Sequence, residues 1–285
     1  MTWLFFTALS ILSRSTYGVM TKVLSSKMKV SIYTQACFLP LAGAFLTVIF
    51  SPLLGGLAVD FSNASLVLVA LVVFGQGLGK IVYFASIKNL TNATAQIAFS
   101  SIRLFNTVLA LLFLHLHLSM INVLGIVLLT LAILSVISGK VAYHKQGVLL
   151  MILSAFLFAI FQLSSSELSK QVSSVSYLLV AYLGSATVVF IYKYKVIVQD
   201  VIQAADWKSI VVIPILTALP SVGNFLFAYL AYRAAPEAAK VAMLLTSQVV
   251  LTVLLSYVFL HEKTNIKRNI IAAASVVLAA LFIKS

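Results

Sequence analysis

The chain has 285 residues, 62% of them hydrophobic and only 9% charged, with a mean hydropathy of +1.13. A soluble domain carries about 25% charged residues, so the composition excludes a water-soluble fold and predicts one integral-membrane domain over residues 1–285. The net charge of +13, from 19 Lys+Arg against 6 Asp+Glu, does not mark a nucleic-acid binder, because the basic residues are scattered among short loops between apolar runs.

The first apolar run, Thr2 to Leu24, has no basic leader or small-residue cleavage site and carries Arg14 in its middle, so it reads as a retained helix. Further runs of spanning length, on the order of 17 to 25 residues, fall at 31–50, 65–87, 93–114, 119–138, 147–169, 175–194, 209–232, 236–258 and 267–284. The expectation is an all-α polytopic protein of ten transmembrane helices. Polar punctuators separate the runs: Lys27-Met28-Lys29, Ser51 to Asn63, Lys88 to Asn92, Gly139 to Gly147, Lys193 to Lys208, and His261 to Arg268. Pro214 and Pro220 are expected to break the eighth helix locally. Cys37, the sole cysteine, lies in an apolar run and reads as a buried small hydrophobe.

An internal repeat organises the chain. Residues 84–139 resemble residues 229–284: a short basic-and-small loop precedes a helix ending in Phe113-Leu114-His115 or Phe259-Leu260-His261, and a polar turn then leads into a helix rich in small residues. The repeats are 1–139 and 147–285. Five helices is an odd number, so the second half enters the membrane inverted, an arrangement suited to two alternately open states around one central site. Lys27, Lys29, Lys88, Lys140, Lys145, Lys193, Lys195, Lys208, Lys263, Lys267 and Arg268 fall on one face, against Lys170, Arg233 and Lys284 on the other. Loop charge therefore makes the first face cytoplasmic and leaves both termini outside.

Two stretches carry a family resemblance. Ala234-Ala235-Pro236-Glu237-Ala238-Ala239 opens the ninth run, and Phe259-Leu260-His261-Glu262-Lys263-Thr264 forms the turn before the tenth. This pattern, with the length and the five-plus-five layout, resembles the EamA-type branch of the drug/metabolite transporter superfamily. The chain departs from that pattern where Val249 replaces a usual proline and where the first-half turn, His115-Leu116-His117, lacks a glutamate. The resemblance implies a secondary transporter whose helices 1–4 and 6–9 surround a cavity while helices 5 and 10 lie peripherally, and it implies both termini in the cytoplasm. It leaves the substrate open among amino acids, sugar phosphates, nucleotide sugars, amines and drugs.

Charges in hydrocarbon are costly, about 2.5 to 3.5 kcal/mol at mid-helix on insertion scales, so Arg14, Lys80, Arg103 and Lys240 each require a reason. They stand on polar stripes at helical spacing: Ser10, Ser13, Arg14, Tyr17 and Thr21; Gln76, Gly79, Lys80 and Tyr83; Gln96, Ser100, Arg103 and Thr107; Lys240, Ser247 and Gln248. Phe158, Gln162 and Asn224 add polar or aromatic surface from the sixth and eighth helices. The expected substrate-binding residues are therefore Arg14, Tyr17, Gln76, Lys80, Tyr83, Gln96, Arg103, Phe158, Gln162, Asn224, Lys240 and Gln248, with Arg14 and Arg103 as bidentate partners of a carboxylate. Glu167 is the most membrane-embedded acid and reads as an interfacial residue or the partner of a nearby lysine. The structural alternatives are snorkelling of Lys240 or Lys80 to the interface, and hydrogen bonding of the arginines to free carbonyls.

A net-positive cavity fits an anionic or carboxylate-bearing metabolite, such as an amino acid or organic anion, moved by alternating access. No catalytic residue, metal site or cofactor is expected: Gly75 to Lys80 lacks the spacing of a phosphate loop, and His115 with His117 lacks a third ligand. The alternative is a membrane-embedded transferase or flippase acting on a lipid-linked anion. The expected partners are a small-molecule substrate and the lipid bilayer, with no nucleic acid and with monomer or homodimer left open. The expected location is the bacterial inner membrane.

Overall fold

The structure is a computed structural model that describes residues 2–57, 59–62, 64–114, 119–137, 145–204, 207–235, 241, 244–263 and 266–284. The described residues form α1 (Thr2–Lys27), α2 (Ile32–Phe50), α3 (Leu66–Ile87), α4 (Asn92–Phe99), α5 (Ile102–Leu114), α6 (Met120–Ile137), α7 (Lys145–Leu168), α8 (Ser174–Leu179), α9 (Ser185–Ile202), α10 (Trp207–Ala234), α11 (Gln248–Phe259) and α12 (Ile266–Lys284). A single wide π-type turn, Val180–Gly184, joins α8 to α9. Six helical segments among the described residues are long and apolar enough to cross a membrane: Ile32–Leu54, Leu66–Ile87, Lys145–Leu168, Ser174–Ile202, Ile210–Ala234 and Ile266–Ile283.

Hydroxyl residues start the helices. The side-chain oxygen of Ser31 accepts from Thr34 N at 3.3 Å, that of Thr91 from Thr94 N at 3.2 Å, and that of Ser173 from Ser176 N at 3.2 Å. Each cap satisfies an amide that the first helical turn leaves without a partner. Two hydroxyl pairs also interrupt helices. The predicted fourth span divides at Ser100–Ser101 into α4 and α5, and turn geometry at Thr246–Ser247 precedes α11. Ser100 Oγ donates to Gln96 O at 3.0 Å and Ser247 Oγ to Leu244 O at 2.7 Å, local bonds that compete with the helical ladder.

Two expectations are corrected. Pro214 and Pro220 do not break the eighth helix: α10 runs as one helix from Trp207 to Ala234, packed along α1 and α2, which support it across the missing amide bonds. The seventh run is longer than expected: its helix kinks at Lys193, which is non-helical at φ −138° and ψ 35°, one residue before the expected end at 194, and a further helical segment runs on to Ile202. Its extension is anchored by Asp200, whose carboxylate accepts from Ser31 N at 2.9 Å and from Thr34 Oγ1 at 2.5 Å.

The principal helix pairs are α1 with α10, α3 with α7, and α6 with α12; α2 packs on α9 and α10, α5 on α7, and α11 on α1 and α12. Large apolar side chains such as Phe5, Leu66, Leu112, Leu149, Ile191 and Ile271 point outward, an arrangement that only hydrocarbon surroundings make favourable. As the small residues suggested, α6 and α12 approach closely. Leu129, Ala132 and Ile133 form a separate core with Val253, Ala273 and Val276, away from the central bundle.

Candidate functional site

A cavity of about 400 Å³ lies among α1, α3, α7, α8 and α10. Arg14 and Tyr17 enter it from α1, Gln76 and Lys80 from α3, Phe158 and Gln162 from α7, Asn224 from α10, and Gln248 from the start of α11. Eight of the expected residues thus meet on one wall system. A smaller enclosed chamber of about 50 Å³ adjoins it, lined by Arg14, Tyr17, Gly18, Lys80, Tyr83, Phe84, Gln96, Phe99 and Phe158. Tyr83 and Gln96 belong to this inner chamber; Arg14, Tyr17, Lys80, Phe99 and Phe158 border both.

Lys80 is only 5% exposed, so its ammonium does not snorkel; it lies 5.5 Å from the centroid of the Tyr182 ring. The Arg14 guanidinium lies 5.3 Å from the Tyr17 ring centroid. Both contacts place a cation near a negative ring face. No carboxylate among the described residues lines either space, so the local charge is positive. Glu167 is paired with Lys170 at 2.8 Å on the exposed surface, in agreement with its reading as an interfacial residue.

Amides and hydroxyls complete the walls. Ser10 Oγ donates to Asn224 Oδ1 at 2.9 Å, Gln96 Nε2 donates to Tyr83 Oη at 3.0 Å, and Tyr182 Oη lies 3.2 Å from Ser221 Oγ. The Gln76 Oε1 atom is buried with no hydrogen-bond partner. Aromatic edges run in a chain from Tyr83 to Phe99 to Phe158 to Phe161, with centroids 5.7, 5.5 and 6.0 Å apart. Such rings suit the apolar body of a ligand whose charged end meets Arg14 and Lys80.

Arg103 is not brought to this site: it lines neither space. On α5 its neighbour Ile102 packs against Ala155 and Ala159, while Leu104 packs toward the α6–α12 core. The expected pairing of Arg14 with Arg103 is therefore replaced by Arg14 with Lys80, because the break at Ser100–Ser101 separates α5 from the helix that presents Gln96 and Phe99. Lys240, His115 and His117 lie outside the described residues.

Reading the sequence missed Tyr177, Leu178, Ala181 and Tyr182, which form the wall contributed by the seventh span. That span carries no intramembrane charge to draw notice, and the signal available was the recurrence of small and aromatic residues at i, i+1, i+4 and i+5. Gly43 makes room for this wall, since a Cβ there would stand 2.9 Å from the Tyr182 ring.

The cavity extends toward the face carrying the 169–173 turn, where Ser165 and Tyr177 line it near the adjoining helix ends. The opposite face is sealed by Leu24, Phe84, Ile87, Leu90 and Met151, all buried. Polar bonds reinforce the seal. Lys22 Nζ donates to Ile87 O at 2.6 Å and Leu90 O at 2.7 Å, ending α3, and Ser86 Oγ donates to Gly147 O at 2.6 Å. The Glu262 carboxylate accepts from Asn92 N at 2.7 Å and Ala93 N at 3.1 Å, where α4 presents its free amides.

Burial raises the Glu262 carboxyl above the ordinary glutamate range, against the lowering pull of those two amides and of Lys22. The folded chain thus holds this proton more tightly than the unfolded chain. Its contribution to stability is full below the ordinary value and is lost as pH rises through the raised one. Thermal unfolding should shift upward on acidification across that window, and Glu262→Gln should flatten this segment of the pH profile.

A membrane-embedded helical bundle with a polar central cavity is the class that fold and site define. Residues 145–284 match the model of the EamA-like transporter family, so the second half of the chain belongs to that family, as its motifs suggested. The protein is an integral multi-pass membrane protein. One crystal structure of a protein superimposes with a TM-score of 0.66 at 15% identity, covering 99% of this chain and 97% of that one. At that identity the likeness shows the fold. No curated protein matches the chain.

Proposed function

We propose that the chain is a secondary transporter that moves a small organic anion, carboxylate-bearing and with an apolar body, by alternating access between two inverted five-helix halves. Reciprocal packing supports the inversion. Helix α1 of the first half lies on α10 of the second, and α7 of the second lies on α3 of the first. The caps exchange in the same way: Asp200 serves the Ser31–Thr34 helix start, and Asp60 N donates to Ser176 Oγ at the start of α8 at 3.0 Å. The breaks at Ser100–Ser101 and Thr246–Ser247 are separated along the chain by as much as Phe113 and Phe259. Partner exchange of this kind is what a two-fold axis in the membrane plane produces.

The observation that carries the cargo assignment is the convergence of Arg14 and Lys80, without a described carboxylate, on a cavity of about 400 Å³. Two uncompensated cations are held in the bundle because an anionic guest completes them. The aromatic chain and Tyr182 enclose its apolar part. The cavity faces away from the lysine-rich loops, which by loop charge supports reading this conformation as open to the non-cytoplasmic side. Membership of a transporter family favours transport over transferase chemistry on a lipid-linked anion.

The test is flux in proteoliposomes. Aromatic and aliphatic carboxylates should accumulate and exchange unchanged, and should compete with one another. Uptake of organic cations alone would overturn the charge assignment; chemical conversion of the carboxylate would overturn transport.

A further inference from the structure

We infer that the inner chamber is a binding site for a small monovalent inorganic anion of chloride size, beside the site of the organic cargo and sharing Arg14 and Lys80 with it. The chamber holds about 50 Å³, whereas one water requires roughly 10–15 Å³ by this measure. By that measure it has room for roughly three to five waters, enough for a halide with its remaining waters and too little for a bulky organic body. Its position is deeper than the main cavity, against the sealed face, beside Gly18, Tyr83, Phe84 and Gln96.

The donor set is that of an anion site. Arg14 and Lys80 supply positive charge with no described carboxylate on the lining. Tyr83 Oη already accepts from Gln96 Nε2 at 3.0 Å, which leaves its own proton free to donate inward. Tyr17 adds a second phenol at the same wall. Gly18 lets α1 approach Thr252 beside the Gln96 amide, since a Cβ there would stand 3.1 Å from Thr252 Cγ2. Cationic groups with hydroxyl donors around a space of a few waters select a compact, weakly hydrated anion over water alone. A cation meets the wrong charge.

The probes are sodium chloride and sodium bromide against sodium gluconate at equal ionic strength, with the purified full chain in detergent. Chloride and bromide should raise Tm saturably, as a ligand of the folded state does. Lys80→Met should abolish the halide-dependent rise, Tyr83→Phe should weaken it, and Lys195→Ala, which removes an exposed cation elsewhere, should keep it. Crystals grown in bromide should show anomalous density between Lys80 and Tyr83. Equal Tm in all three salts, a halide rise that survives Lys80→Met, or bromide found only outside the chamber would overturn the site. Organic-anion flux measured in gluconate tests the transport reading independently: flux without any halide effect sinks the chamber site alone, and a halide effect without flux sinks the transport reading alone.

Discussion

Lys80→Met and Arg14→Gln should each lower the apparent affinity for a transported carboxylate about ten- to hundredfold, the loss of one charge-assisted hydrogen bond of roughly 1.5–3 kcal/mol. Lys80→Met should at the same time raise Tm. The ammonium is 5% exposed and has no carboxylate partner among the described residues, so it is a cost to the empty fold, and a methionine of similar shape removes that cost. A lysine kept for structure would behave in the opposite way, with stability falling together with flux. Initial uptake rates over a substrate range, and thermal unfolding of the same preparations, separate the two. Gln162, which lines the main cavity from α7, carries no charge and already accepts from Asn106 Nδ2 at 2.7 Å. Gln162→Ala should therefore alter affinity far less than either cationic change.

Gly125→Leu should destabilise the fold at the upper end of the range for overpacking, about 3 kcal/mol. A Cβ at Gly125 would stand 2.8 Å from Ala279 O and 2.9 Å from Ile283 N. These are backbone atoms of α12 that no rotamer change can move, so α6 and α12 must separate. The same seam is closed at its end by Asn122 Nδ2, which donates to Phe282 O at 3.0 Å and Ile283 O at 3.2 Å. Asn122→Ala should cost less, about 1 kcal/mol, since water can replace its bonds at an exposed position. Neither helix lines the cavity, so flux per folded molecule should be unchanged while Tm falls. A drop in flux at unchanged Tm would show that the seam works in transport rather than in stability.

Much of the helix layout was legible because membrane helices announce themselves by length and hydropathy, and their ends by polar punctuators such as Lys27-Met28-Lys29 and Lys88 to Asn92. The polar stripes were equally informative. An ion in hydrocarbon must face something polar, so the helical spacing around Arg14 and Lys80 was enough to aim Tyr17, Gln76 and Tyr83 inward. Arg103 obeyed the same spacing and yet lines neither space, because the helix breaks at Ser100–Ser101 just before it and a stripe is continuous only while the helix is. Ser13 shows a second limit: it belongs to the α1 stripe but lies on an apolar groove with Leu216 and Pro220 instead. The prolines of α10 misled for a related reason. A proline removes one bond, and whether the helix bends depends on the neighbours packed along it.

The sequence by itself determined that this is a membrane-embedded helical protein, where the six long apolar spans among the described residues run, and which intramembrane cations demand compensation, since all three follow from the cost of exposing polar groups to hydrocarbon. Only the tertiary structure decided that Lys80 rather than Arg103 joins Arg14, that Tyr177 and Tyr182 form a wall, and that one face is sealed by Lys22 and Glu262. Those outcomes depend on which helices touch, and contacts between distant segments are set by packing across the bundle, which local periodicity does not encode.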